Sequence, residues 1–432
     1  MRARLARQIV DGTQFRVVWV LPDEARVKAR RAELYPTGLY GSRISCLHVP
    51  DLEALPFTSG FAGAVIGQPG VATTAEARRI LRPGGVAAVL DKTNRVFPVG
   101  QRGYPEGVGA WSHQYADPGN TAGSADALGG AAATGDLALQ WVGRPGGDFG
   151  IDRQSRMPAP LSAGPVLIHQ GMNRIVALDA YSGVPLWSRE IPALRRINLP
   201  RDCGNACLWS DRLYLAVGDR LWGLKAGTGE FFHAAPVIGN SGGEFQWGYV
   251  GALGDRMVGS AVKRGAAFDA FWGKDAWFDE KAGGGAAKVG SDALFSFNLL
   301  RGGGTWRYTG GVILNPTIAL AGDSAYFVEC RNPSVAEGES RRLSGPEIWK
   351  DQFLVALDLQ TGAKRWEQPL DTEDGTAAFY PQVSGEKILI TSSRDRYYLY
   401  CFNAGDGAPL WQAANALPTT TTAHTSSTRS FV

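Results

Sequence analysis

The stretch ALDAYSGVPLW, Ala177–Trp187, decides how this chain is read, because it returns in altered form four more times downstream. Aligned on it are GLKAGTGEFFH, SFNLLRGGGTW, ALDLQTGAKRW and CFNAGDGAPLW. The first polar position falls at Asp179, Lys225, Asn298, Asp358 and Asn403, and a glycine follows each at Gly183, Gly229, Gly302, Gly362 and Gly407. A tryptophan closes four of the copies, at Trp187, Trp306, Trp366 and Trp411, while the second copy has Phe232 before His233.

Two β-strands joined by a tight turn account for this spacing. The glycine supplies a positive φ that other residues reach only at a cost. The Asp or Asn side chain bonds turn amides. The tryptophan on the outgoing strand offers a broad flat face for the gap between sheets. Two further short apolar runs precede each copy, such as ACLWSD then RLYLAVG, or YPQVSGE then KILITSS, so each unit reads as four antiparallel strands. Successive anchors lie 46, 73, 60 and 45 residues apart, which gives the third and fourth units insertions. Four-stranded units of this length are propeller blades.

The pattern Ala-x-Asp-x-x-Thr/Ser-Gly-x-x-x-Trp resembles the quinoprotein-type (PQQ) repeat of quinone-dependent alcohol dehydrogenases and of an outer-membrane assembly lipoprotein. It covers about residues 105–416. The fold class expected is therefore mainly β, a PQQ-repeat β-propeller of four-stranded blades. Five blades are clear and part of a sixth is suggested, whereas rings of the family commonly have about eight. The motif residues are expected to fasten blades rather than to bind anything, since relatives carry them with and without the cofactor.

Residues 1–100 alternate strand and helix: RVVWVL, DEARVKARRAELY, RISCLHV, AGAVIG, TAEARRIL, GVAAVLD. This order predicts a parallel sheet with covering helices, a Rossmann-like α/β half-domain. The phrases LPFTSGFAGAVI and EARRILRPGGVAAVL resemble the second half of class I methyltransferases that use S-adenosylmethionine. No glycine-rich loop precedes Arg16, Leu21 stands where the ribose-binding acid is usual, and Ala62 or Gly63 replaces a later acid. A degenerate half-domain that does not bind the cofactor is the expectation. Residues 417–432, rich in Thr and Ser, read as a low-complexity tail, and both ends read as truncated against the family architecture.

Of 432 residues, 44 are basic and 41 acidic, for a formal charge of +3, and neither sign forms a long block. Nucleic acid is not an evident partner. No apolar run is long enough for a transmembrane helix, and no signal peptide is visible. The compartment stays open, a periplasmic address being compatible with a longer gene. Five scattered cysteines give no disulfide framework, although Cys203 and Cys207 in DCGNAC have a spacing that could pair or share a metal.

Sites are expected on loops at one mouth of the channel. AWSHQYADPGNT, Ala110–Thr121, which precedes LALQWVG, read as an outer strand that helps close the ring, offers His113, Asp117 and Asn120. These line the mouth, or else Asp117 and Asn120 make turn bonds while Trp111 wedges between blades. LRRINLPRDCGN offers Arg195, Arg196, Arg201 and Asp202, and IDRQSR adds Asp152 and Arg153. Arginine forks hold carboxylates bidentately, so a small acidic ligand or a protein partner fits this cluster. The bland alternative is an Arg201–Asp202 neighbourhood in water. The first insertion, RGAAFDAFWGKDAWFDEKAGGG, reads as an aromatic flap, and the second, RNPSVAEGESRRLSGPEIWKDQ, as a polar surface loop. Resemblance to the dehydrogenases implies PQQ with calcium and two adjacent cysteines above it, a pair this sequence lacks. The function expected is a ligand- or protein-binding scaffold, with a PQQ-dependent oxidoreductase as the alternative and methyl transfer as the third.

Overall fold

The computed structural model describes residues 3–13, 15–93, 95–143, 158–194, 201–267, 287–372, 380–393 and 396–416. The chain forms two compact units, one from residues 1–108, 127–143 and 178–186, the other from residues 109–126, 144–177 and 187–432.

In the first unit, strands Val17–Leu21 and Ile44–His48 pair in parallel and are joined through helix Glu24–Leu34. Asp23 starts that helix by accepting from the Arg26 amide at 2.7 Å, the N-cap arrangement that satisfies an end amide. Ala6, Val10, Leu34 and Ile44 form one buried cluster and Trp19, Val27 and Cys46 another. Strand Ala62–Gly67 pairs in parallel with Leu81–Leu90, which pairs antiparallel with Val96–Gln101. The described strands thus make a two-stranded and a three-stranded sheet where one continuous sheet was expected.

The repeats fold as read, into mainly antiparallel sheets. The first sheet runs Leu161–Ala163, Val166–Gly171, Arg174–Asp179, Pro185–Glu190; the second Ala206–Trp209, Arg212–Val217, Arg220–Lys225, Phe231–Pro236. The third runs Phe245–Leu253, Arg256–Lys263, Ala293–Asn298, Trp306–Tyr308; the fifth Tyr380–Ser384, Lys387–Ser393, Arg396–Asn403, Pro409–Ala416. The fourth departs from the four-strand rule. To Ala319–Ala321, Ser324–Cys330, Gln352–Asp358 and Lys364–Leu370 it adds Val312–Leu314, Lys288–Ser291 and Arg342–Leu343. Innermost strands of successive sheets in the second unit lie side by side, the radial arrangement of blades.

All five repeat glycines have positive φ, from 63° to 76°. Each donates its amide to the carbonyl of the anchor four residues back, as Gly362 does to Asp358 at 2.8 Å. Asp179, Asn298, Asp358 and Asn403 accept turn amides through their side chains. The tryptophans of the first, third and fourth copies lie on the turn glycine of the next repeat and donate Nε1–H to a carbonyl beside it. Trp187 covers Gly229 and bonds Ala226 at 2.8 Å; Trp306 covers Gly362 and bonds Leu359 at 2.9 Å; Trp366 covers Gly407 and bonds Ala404 at 3.1 Å. In the second copy, which lacks the tryptophan, the following glycine, Gly302, has nothing within contact of a would-be Cβ. Trp209 clasps that junction instead, donating to the Gly254 carbonyl at 2.6 Å.

Two segments differ from their sequence readings. LALQWVG, expected to be an outer strand, has no strand partner among the described residues, yet Trp141 still behaves as a fastener within the first unit, covering Gly183 and bonding the Ala180 carbonyl at 2.9 Å. The second insertion is no polar surface loop: Val335, Leu343, Ile348 and Trp349 are buried in the core of the fourth and fifth sheets. Arg341, also buried, pairs with Asp292 at 2.6 Å. The apolar residues are few and scattered among polar ones, which disguises them in the sequence.

Candidate functional site

In the second unit the segment Trp111–Thr121 behaves as a strap across the inner strands. Trp111 exchanges two backbone bonds with Ser162 of the first blade, both 2.8 Å. The Leu208 amide of the second blade donates to Ser112 O at 2.8 Å, and the Ala252 amide of the third donates to His113 Nε2 at 3.1 Å. Leu320 of the fourth donates to Pro118 O at 2.7 Å and Val383 of the fifth to Gly119 O at 2.8 Å. Ser162, Leu208, Ala252, Leu320 and Val383 are equivalent positions. Each stands two residues before a positive-φ turn residue: Gly164, Ser210, Gly254, Gly322 and Gly385. One short segment therefore satisfies the same inner-strand amide in each of the five blades formed by the described residues. It does so by bending at Ala116 and Asn120, whose φ values are 72° and 61°. Such conformations cost a non-glycine residue about 1–2 kcal/mol each and persist where surrounding bonds fix them.

The side chains serve the same purpose. Asn120 is buried and its Nδ2 donates to Ile318 O at 3.0 Å and Pro381 O at 3.3 Å, tying the fourth blade to the fifth. Asp117 accepts from the Thr121 amide at 3.1 Å and from its hydroxyl. His113 is buried, and burial holds its imidazole down to about 3, so it is neutral. Because Nε2 accepts from Ala252, the proton sits on Nδ1, facing Ser112 Oγ at 2.8 Å.

Beneath the strap lies a buried polar chain that the sequence reading did not assemble. Asp202 accepts from Asn315 Nδ2 at 2.9 Å and from Cys203 Sγ at 3.3 Å. Asn315 Oδ1 bonds Ser291 Oγ, which bonds Ser260 Oγ at 2.9 Å, and that oxygen accepts the Tyr249 amide. Asn315 opens a short turn, Ser291 ends one strand and Ser260 lies within another, and nothing in their local patterns marks them. Arg201 and Asp202 are buried rather than standing in water, which corrects the solvated reading. Cys203 and Cys207 are both buried and no disulfide joins them, so the pairing allowed by their spacing does not form, and burial pushes the Cys207 thiol well up. Arg195, Arg196, Asp152 and Arg153 lie outside the described residues, as do the aromatics of the first insertion.

A quinone with calcium finds no fitting cradle among the described residues. The inner amides at the strapped end are taken by the strap, the cavity beneath it, bordered by His113, Asn120, Asp202 and Asn315, is small, and no three His, Cys, Asp or Glu side chains converge.

Comparison with known proteins gives a limited match. Residues 350–432 fit the family model described as outer membrane protein assembly factor BamB. No curated protein matches the chain. Among solved structures, quinohemoprotein alcohol dehydrogenase from Comamonas testosteroni is 14% identical, with a TM-score of 0.40 over 61% of this chain and 43% of that one. A europium-containing methanol dehydrogenase is 12% identical, with a TM-score of 0.44 over 71% of this chain and 58% of that one. BamB from Moraxella catarrhalis is 15% identical, with a TM-score of 0.27 over 58% of this chain and 70% of that one. This chain thus spans about half the length of the two dehydrogenases. The in-register repeats, the antiparallel blades and the match over residues 350–432 support a PQQ-type β-propeller fold for the repeat region.

Proposed function

We propose that the chain is a binding or scaffold module rather than a quinone-dependent oxidoreductase. The observation that carries this reading is the strap. It engages the inner strands of all five blades with protein groups and leaves recognition to the rim. The match of residues 350–432 to the model of an assembly factor points the same way, toward a protein partner. Arg195 and Arg196 are the residues proposed to receive an acidic ligand or an acidic face of that partner, with Asp152 and Arg153 near them in this reading. Methyl transfer, the third reading, is not proposed.

The test is thermal unfolding of the purified chain with and without pyrroloquinoline quinone plus calcium, beside dye reduction over a panel of alcohols and sugars. A ligand of the native state at ten times its dissociation constant stabilises by about 1.4 kcal/mol. The expected result is an unshifted transition and no dye reduction. A clear upward shift, or substrate-dependent reduction that requires the quinone, would replace the scaffold by the oxidoreductase.

A further inference from the structure

Of the junctions between successive blades, the one from the second to the third lacks a piece. In three others an indole makes two contacts, laying its ring on a turn glycine and donating Nε1–H to the carbonyl of the residue after the polar anchor. Trp187 does so at Gly229 and Ala226, Trp306 at Gly362 and Leu359, and Trp366 at Gly407 and Ala404. The turn that opens the third blade to its neighbour is built in the same way. The Leu299 amide donates to Asp255 O at 2.7 Å, as those of Ala226, Leu359 and Ala404 donate to Asp211, Asp323 and Glu386, and the Gly302 amide donates to Asn298 O at 3.1 Å. Yet among the described residues no group donates to the Leu299 carbonyl, and a Cβ on Gly302 would meet nothing within 4 Å.

His233 stands where the fastener would, as far beyond Lys225 as Trp187 is beyond Asp179, but its ring stacks with that of Phe232, centroids 6.4 Å apart, and leaves Gly302 uncovered. Trp209 holds the junction through its bond to Gly254, and it shares one core cluster with Leu299, so the place stays open while the blades stay packed. Exposed apolar side chains flank it: Leu300 on the turn, and Phe231 and Phe232 on the strand that carries His233. That strand, Phe231–Pro236, is paired on one side only among the described residues, which leaves it a free edge. A floor without a side chain, an unfilled carbonyl acceptor and an apolar rim together fit a flat apolar ring with an N–H on its edge, which is indole. Phenylalanine has no donor, and a carboxylate would oppose the carbonyl. The occupied slots of this same chain hold that group, each time from a residue on a β-strand. We propose that the open slot at Gly302 receives a tryptophan from an extended segment of a partner protein, lying by the free edge of Phe231–Pro236, and that this side chain completes the clasp in trans. On the scaffold reading, on which this rests, the partner is thereby held at a blade junction.

The experiment titrates the full chain with a short peptide carrying one central tryptophan, with the same peptide bearing 1-methyltryptophan or leucine instead, and with free indole. The backbone amide resonances of Leu300 and Gly302 are followed, the first because it reports the hydrogen bond at the carbonyl before it. The tryptophan peptide is expected to shift both saturably, and the 1-methyltryptophan peptide to bind about fivefold more weakly for want of the donor. The leucine peptide and free indole are expected to leave them in place at the same concentrations. His233→Trp supplies the fastener from within, and is expected to raise the unfolding temperature and abolish capture of the peptide. If that variant does not fold, the ranking of the peptides on the wild-type chain decides. No saturable shift with the tryptophan peptide, an equal shift with the leucine peptide, or capture unchanged by His233→Trp would overturn the slot. Free indole binding as tightly as the peptide would overturn the polypeptide partner. Failure of the slot while quinone gives no thermal shift removes this docking alone and leaves the scaffold reading standing, whereas a quinone-induced shift removes the reading beneath it.

Discussion

At His113 a single proton position couples the strap to the third blade. The imidazole accepts from the Ala252 amide, and protonation of Nε2 would turn that bond into two opposed donors. Burial lowers its folded-state pKa to about 3, against an unfolded value near 6.5. The stabilisation is therefore fully present above about pH 6.5 and is lost as pH falls from there toward 3, while the unfolded chain alone takes up the proton. By linkage the loss between pH 7 and 5 is about 2 kcal/mol. In His113→Gln, whose amide oxygen also accepts, this part of the pH dependence is expected to vanish; urea denaturation at both pH values measures it. The repeat glycines give a second test. Gly302 and Gly362 share a positive φ, but only at Gly362 would a Cβ meet a tryptophan ring, 2.6 Å from Trp306 Cδ2. Gly302→Ala is expected to cost about 1–2 kcal/mol from φ alone, and Gly362→Ala measurably more, on the order of 3, by denaturant midpoint.

Elements join through these same tryptophans, and the junctions were largely legible in the sequence. Polar anchor, glycine and tryptophan at fixed offsets announce a turn and a plate lying against it. The missing tryptophan of the second copy reappears in the structure as an uncovered Gly302. What the sequence hid was the substitute, Trp209, because it sits on an inner strand outside the motif. Trp306 is 9% exposed and bonded to Leu359, whereas Trp411 is 48% exposed and covers no turn among the described residues. Trp306→Ala is expected to cost about 3–5 kcal/mol and Trp411→Ala under about 1, with chemical denaturation as the measurement. Equal losses would remove the fastening role. The second insertion was misread for a related reason: a segment with few, irregularly spaced apolar residues shows no period, so only tertiary packing reveals Val335, Leu343, Ile348 and Trp349 as core.

For the whole molecule, the blade architecture follows from repetition, while the use of the channel does not. His113, Asp117 and Asn120, read from the sequence either as lining the channel mouth or, for Asp117 and Asn120, as making turn bonds, lie on one strap. Their work there is to pin blades. The strap is invisible in sequence because its bonds are mostly backbone to backbone and run to positions from Ser162 to Val383. The Asp202–Asn315–Ser291–Ser260 chain is hidden for the same reason, its members contributed by distant strands and turns. The most direct test is native-state amide hydrogen exchange at Ser162, Leu208, Ala252, Leu320 and Val383. If one strap holds all five blades, these five amides exchange only through global opening, with matched protection and a matched dependence on denaturant. Fast or unequal exchange, with the amides of some blades released while others stay protected, would contradict the strap as the common hub of the propeller.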